Sequence, residues 1–304
     1  MPDSVVYFQA HCHSRYSINR LSGEGVFHRV IWPAERQVMK ALMRSPEQLA
    51  KLARKNNVQF VAVTDHNAVP MVAGDTLITG EEWGQTKGHA NFINIKKQID
   101  PECGYFRNRQ PDHPKDFVAA ANEAKKQGAF VSINHPFKRD AWRWGDESYG
   151  LADAIEIWNG KWNEENFRAL EQWQALLLKG KRILCMAGND FHLNHLFDIG
   201  SQVLAFRNTT DRDALISNLW KGNYSLAKDT KSPVVFLDED LKYEIENYST
   251  NIELRIVSVN NSSVRTNAGK EGSVASENAG KFIRLELWNE DGPLSFTNPV
   301  FLQP

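Results

Sequence analysis

The stretch VVYFQAHCHSRYS, residues 5–17, sets two histidines at the end of a short run of strand-forming residues. On an extended strand alternate side chains point to the same face, so His11 and His13 project together. Two imidazoles on one face make half of a metal site, although two surface histidines at this spacing also arise by chance. The rest of the chain decides between these readings.

Strand-like and helix-like segments alternate outward from this stretch to residue 230. SPEQLAKLARKN (45–56) predicts a helix with Ser45 as N-cap and Pro46 at its first position. VQFVAVT (58–64) is the near-continuous apolar run of a strand covered on both faces. DTLITGEE (75–82), ANFINI (90–95), AFVSINH (129–135), ADAIEIWN (152–159), RILCMAG (182–188) and SQVLAF (201–206) read as further strands. Helices are predicted at 114–128, 164–180 and 211–222. Seven or so such β/α units predict an α/β barrel or a large doubly wound sheet. From 231 to 304 helical periodicity gives way to alternating strands and Asn/Ser/Gly-rich turns, which predicts a small antiparallel β-sandwich-like appendage. Residues 18–44 form an insertion far longer than the two to six residues usual between a strand and a helix, as expected of a functional loop.

Composition narrows the function. A content of 41% hydrophobic and 24% charged residues suits a soluble globular protein, and a net charge of -1 gives no global attraction to nucleic acid or anionic membrane. Three dispersed cysteines exclude a disulfide framework. No apolar run approaches the ~20 residues needed to span a bilayer. MPDSVVYFQAH lacks the features of a signal peptide, so a cytoplasmic location is expected.

The nine histidines are not scattered. His11, His13, His66, His135 and His192 fall at or just past the C-terminal ends of predicted strands, and His89 sits just before one. Asp65, Glu81, Glu82 and Asp190 accompany them. Any one of these has an ordinary structural explanation, such as a turn histidine or a helix-capping Asp65. In a parallel barrel, however, the C-terminal strand ends converge on one face. So many buried polar groups meeting there would be costly unless a cation satisfied them, and a metal site is the better account.

In order and strand context, HCHSRYS, TDHN, GEEW with the following GH, NHPF and GNDFH resemble the PHP (polymerase and histidinol phosphatase) superfamily. The resemblance covers most of residues 5–230 and implies a distorted, TIM-like (β/α)7 barrel, with the insertion over its active site. FIRLELWNEDGPLSFTNPVFL (282–302) is similar to the β appendage of a branch that includes carbamate hydrolases and phosphoesterases. The family pattern implies two or three divalent ions (Zn, Mn or Fe). It gives His11, His13, Glu82 and Asp190 to the first metal, with Glu82 bridging to a second completed by His89 and His135. His66 and His192 would serve a third, and Asp65 would orient an imidazole. Where the family has an aspartate after the serine this chain has Ile18, so either the third site is weak or Glu24, His28 or Glu35 of the insertion folds back to complete it.

Such a cluster suits hydrolysis of a small phosphate ester by an activated water. Arg15, Lys138 and Arg139 are placed to supply catalytic cations for the phosphate, or else are solvated loop charges. The same centre could attack a carbamate or amide, and a non-catalytic, metal-stabilised binding module is the third reading. Trp142, Trp144 and Trp158 lie past strand ends, where they either stack on an aromatic ligand or pack the loop down. No membrane partner is expected, and no nucleic acid beyond nucleotides or short oligonucleotides.

Overall fold

A computed structural model describes residues 5–17, 41–85, 87–99, 114–140, 142–192, 198–259, 264–266, 269–275 and 280–302. Glu24, His28 and Glu35, the candidates for completing a third site, lie outside the described residues. The first half contains β1 (Val6–Cys12), α1 (Pro46–Lys55), β2 (Phe60–His66), β3 (Leu77–Gln85), β4 (Gly88–Ile93), α2 (Pro114–Lys126) and β5 (Phe130–Asn134). Next come β6 (Ala154–Asn159), α3 (Glu164–Leu178), β7 (Leu184–Gly188), β8 (Ser201–Phe206), α4 (Arg212–Lys221) and β9 (Ser225–Asp229). The remainder is all strand: β10 (Val234–Leu237), β11 (Lys242–Glu246), β12 (Glu253–Ser258), β13 (Val264–Thr266), β14 (Glu271–Ser273), β15 (Phe282–Asn289), β16 (Gly292–Thr297) and β17 (Val300–Phe301).

The helix signals act as read. Ser45 closes a capping box with Gln48 at the start of α1, Pro46 occupies the first turn, and Leu49, Ala50 and Ala53 are buried. Asn163 and Asp211 cap α3 and α4 in the same way, each accepting a backbone N–H of the first turn.

A 14-stranded sheet organises the chain, in the order β13-β12-β15-β16-β9-β8-β1-β2-β3-β4-β5-β6-β7 with β17 beside β15. Strands β1, β2 and β3 run parallel, as do β5, β6 and β7. Strand β4 is antiparallel to both its neighbours. That reversal puts the start of β4 beside the ends of β3 and β5, and His89 stands opposite Gly84 and Asn134. The sheet is mixed, and no ladder closes it into a ring among the described residues. An isolated bridge, Cys12 to Phe191, links the segment after β7 to the end of β1, and the His13 N–H donates to the Phe191 carbonyl at 2.8 Å.

The largest core packs α2 and α3 on this sheet around Phe92, Phe117, Phe130, Ile155 and Trp173. Beyond β9 the sheet continues through β16 into β15 and β12, whose Leu254, Leu285 and Leu287 are buried with Val235 and Ile245 of the second sheet, β10-β11-β14. Asn298, just after β16, accepts the Cys185 N–H of β7 at 2.8 Å and donates to the Gly222 and Tyr224 carbonyls. No helix among the described residues is long and apolar enough to cross a membrane.

Candidate metal centre

Glu82 stands at the centre of the histidine cluster. Along β3 alternate residues face opposite ways, and Glu81 turns away to accept the Ile99 N–H at 2.9 Å. Oε1 of Glu82 lies 3.3 Å from a ring nitrogen of each of His11, His89 and His135. Its Oε2 lies 3.3 Å from His13 Nε2 and 2.8 Å from His66 Nδ1. Oδ1 of Asp190 faces His13 at 3.1 Å, His192 at 3.4 Å and His11 at 3.5 Å. All eight residues singled out in the sequence therefore meet, drawn from β1, β2, β3, β4 and the segments after β5 and β7.

Local backbone conformation serves this convergence. His135 and Asp190 have φ of 27° and 53°, a region that non-glycine residues enter at a cost and that gathers at functional sites. Gly188 admits the closest approach, since a Cβ there would lie 2.4 Å from His11 Cβ and 2.6 Å from Glu156 Oε1.

The outer supports differ in part from expectation. Asp65 orients no imidazole: its two oxygens accept the N–H and the hydroxyl of Ser14, each at 2.6 Å, and so fix the turn after His13. Burial pushes its carboxyl up to about 7. The imidazole supports come from residues the sequence reading passed over. Glu156 of β6, buried, lies 3.0 Å from His11 Nδ1 and accepts the His135 N–H at 2.9 Å. Its only signal was a carboxylate in the middle of the apolar run AIEIWN. Ser17 Oγ is 3.2 Å from His13 Nδ1 and accepts the His66 N–H, and the Asn134 amide donates to Glu82 Oε1 at 3.0 Å.

The electrostatics suit a set of divalent-ion ligands. Burial would raise the Glu82 carboxyl, yet His66, His89 and His11 hold it well below the usual range. Burial would likewise raise Asp190, but His192, His11, His13 and Lys138 hold it well below. Burial, with His192 and His66 nearby, lowers His13 well below its ordinary value, and burial lowers His192. Anionic carboxylates and neutral imidazoles are the forms a divalent ion binds. Burial would lower His11 too, but Glu156, Glu82 and Asp190 raise it well above its usual value.

The donors fit a divalent ion. Among the described residues Nε2 of His11, Nε2 of His13, Oε2 of Glu82 and Oδ1 of Asp190 are buried without a good hydrogen-bond partner, and the four residues form one group that could hold an ion. Three further groups overlap it: His13, His66 and His192; His66, Glu82 and His89; and His11, His135 and Glu156. The number and identity of the ions stay open at this level, because imidazole with carboxylate suits several metals.

Of the three cations singled out, Lys138 reaches the cluster, its Nζ 2.8 Å from Asp190 Oδ2. Arg15 is exposed, with its guanidinium 5.9 Å from the Tyr16 ring centroid. Arg139 is exposed, and its N–H donates to Glu165. Neither touches the eight residues among the described contacts. Trp144 and Trp158 are buried in the core and Trp142 packs edge-on to Phe117, which is the packing alternative.

No family model matches the chain. Solved structures do resemble it. A two-domain protein from Bacteroides vulgatus containing a predicted PHP-like metal-dependent phosphoesterase aligns over 98% of this chain and 95% of its own, with a TM-score of 0.46 and 17% identity. PsfC from Pseudomonas syringae aligns over 70% of this chain and 88% of its own, with a TM-score of 0.45 and 12% identity. The uncharacterized protein MJ1587 of Methanocaldococcus jannaschii is 24% identical over 163 residues, 49% of this chain and 79% of that protein.

Proposed function

We propose that this chain is a metal-dependent phosphoesterase of the PHP superfamily, built on a distorted (β/α)7 barrel with a β-sandwich-like appendage, and that it hydrolyses a small phosphate ester. The observation that carries the proposal is Glu82, whose two oxygens are ringed by five imidazoles while Asp190 faces three. His11, His13, Glu82 and Asp190 would hold one ion, and Glu82 with His89 and His135 would hold a second. His66 and His192 would be donors to a third. Bound there, divalent ions supply Lewis acidity and lower the pKa of water, as phosphate-ester hydrolysis requires.

The remaining residues position and balance charge. Glu156 fixes His11, Ser17 fixes His13, and Asn134 fixes Glu82. Lys138, partly buried beside Asp190, offers ammonium donors to a phosphoryl oxygen at the edge of the cluster. Turnover of 4-nitrophenyl phosphate by protein loaded with Zn, Mn or Fe tests this, run beside carbamate and amide substrates. Turnover of the carbamates or amides alone would replace phosphoester with acyl chemistry, and none with any substrate would leave a binding module.

A further inference from the structure

A cavity of ≈ 180 Å³ adjoins the metal centre at the N-terminal turn of α3, lined by His135, Lys138, Asn159, Lys161, Asn163 and Asn189 among others. Three of these tie it to the centre. His135 faces Glu82, Lys138 holds Asp190, and the Asn159 amide donates to Glu156 at 3.0 Å. A phosphate ester held at this centre would have a ready-made space beside it.

The lining selects the group that fills it. The end of α3 is not a free anion site: Asn163 already takes the Asn166 N–H, and Glu164 and Glu165 stand in the first turn. His135, which already faces Glu82, is the one aromatic ring among the described lining residues, so the cavity offers a nucleobase no indole or phenyl stacking face. The polar lining is otherwise mostly amide and ammonium groups, with the Glu165 carboxylate. Asn189 Oδ1 and His135 Nδ1 are buried polar atoms without a partner among the described residues, and both residues line the space. A hydroxyl both donates and accepts, so it suits a lining of amide, ammonium and carboxylate groups. The volume lies below the ~300–1,000 Å³ of drug-sized sites, which suits a small group.

Resting on the phosphoesterase reading, we infer that this cavity takes the alcohol half of the ester, and that the alcohol is a small non-aromatic polyol or sugar. In the hydrolysis water forms a new P–O bond, the ester P–O bond breaks, and the departing alcohol oxygen takes up the proton that water releases. The polyol then leaves from the cavity and phosphate from the metal centre.

The test uses the full chain loaded with Mn2+ and three esters: sorbitol 6-phosphate, AMP and 4-nitrophenyl phosphate. The expected kcat/KM is highest for sorbitol 6-phosphate. Ala169→Leu, which fills the cavity from α3, and Lys161→Ala at its exposed rim should each lower the ratio of sorbitol 6-phosphate to 4-nitrophenyl phosphate by about tenfold. A preference for AMP, or a ratio unmoved in both variants, overturns the inference. Free sorbitol, followed by saturation-transfer NMR, reports on the cavity with no reaction at all. Binding that is lost in Ala169→Leu supports the cavity assignment whether or not phosphate esters turn over. Absence of sorbitol binding beside intact 4-nitrophenyl phosphate turnover overturns it and leaves the phosphoesterase reading standing.

Discussion

Nδ1 of His11 and Oε1 of Glu156 lie 3.0 Å apart, with both side chains buried. The other nitrogen of the same ring faces Glu82 and Asp190. A carboxylate behind an imidazole fixes its tautomer and raises its basicity as a ligand. Glu156→Gln should therefore fold normally and weaken metal affinity or activity by about 10–100-fold. Metal titration with turnover on the same preparation checks this; an unchanged affinity removes Glu156 from the centre.

Glu82 is the residue the cluster can least spare. Glu82→Ala should abolish turnover and remove more than one equivalent of metal, whereas His192→Ala should remove at most one. Elemental analysis of the two purified variants separates a shared carboxylate from an ordinary ligand.

Lys138 differs from the ligands in kind. Lys138→Met should leave metal content near that of wild type and lower kcat by about 10²–10³-fold, with partial recovery in Lys138→Arg. A variant that lost its metal as well would mean that Lys138 acts by holding Asp190 in place.

Chelation should destabilise the protein, because the ions bind the folded cluster and not the dispersed chain. At a free ion concentration 1,000 times Kd the stabilisation is about 4 kcal/mol. Thermal unfolding with and without chelator should show a Tm that climbs with added metal.

Glu81 provides a pH-dependent contribution on the other face of β3. Burial pushes its carboxyl up to about 8, from an ordinary value of 4.5. The folded state thus keeps a proton that the unfolded chain releases, and stability falls as pH rises from about 4.5 to 8. In metal-free protein Tm should decline over that range. Glu81→Gln, which still accepts the Ile99 N–H, should flatten the decline.

Much of this was legible in the residues themselves. Ser45, Pro46 and Gln48 announce α1 because capping is a local transaction between neighbours. The eight ligand candidates were legible because so many imidazoles and carboxylates at strand ends, taken together, lack an ordinary structural account. His89 was expected just before a strand and lies inside β4, and its approach to Glu82 depends on β4 running backwards, a pairing between strands that local pattern does not encode. Glu156 was missed because one carboxylate within an apolar strand resembles a chance polar residue until its partners are known. Asp65 was found, but its partner is Ser14, a contact set by how the ends of β1 and β2 lie side by side.

The bond from Cys185 to Asn298 spans 113 residues. At a synthesis rate of about 5–20 residues per second, that separation corresponds to about 6–23 s. For the later part of that interval a nascent chain already displays the strands that carry His11 to Asp190, yet it lacks β16 to pair with β9 and Asn298 to hold β7. A ribosome stalled before residue 292 would present an open sheet edge of the kind chaperones shield. The bond that holds β7, the strand leading into Asp190 and His192, therefore waits for the last strands to be translated.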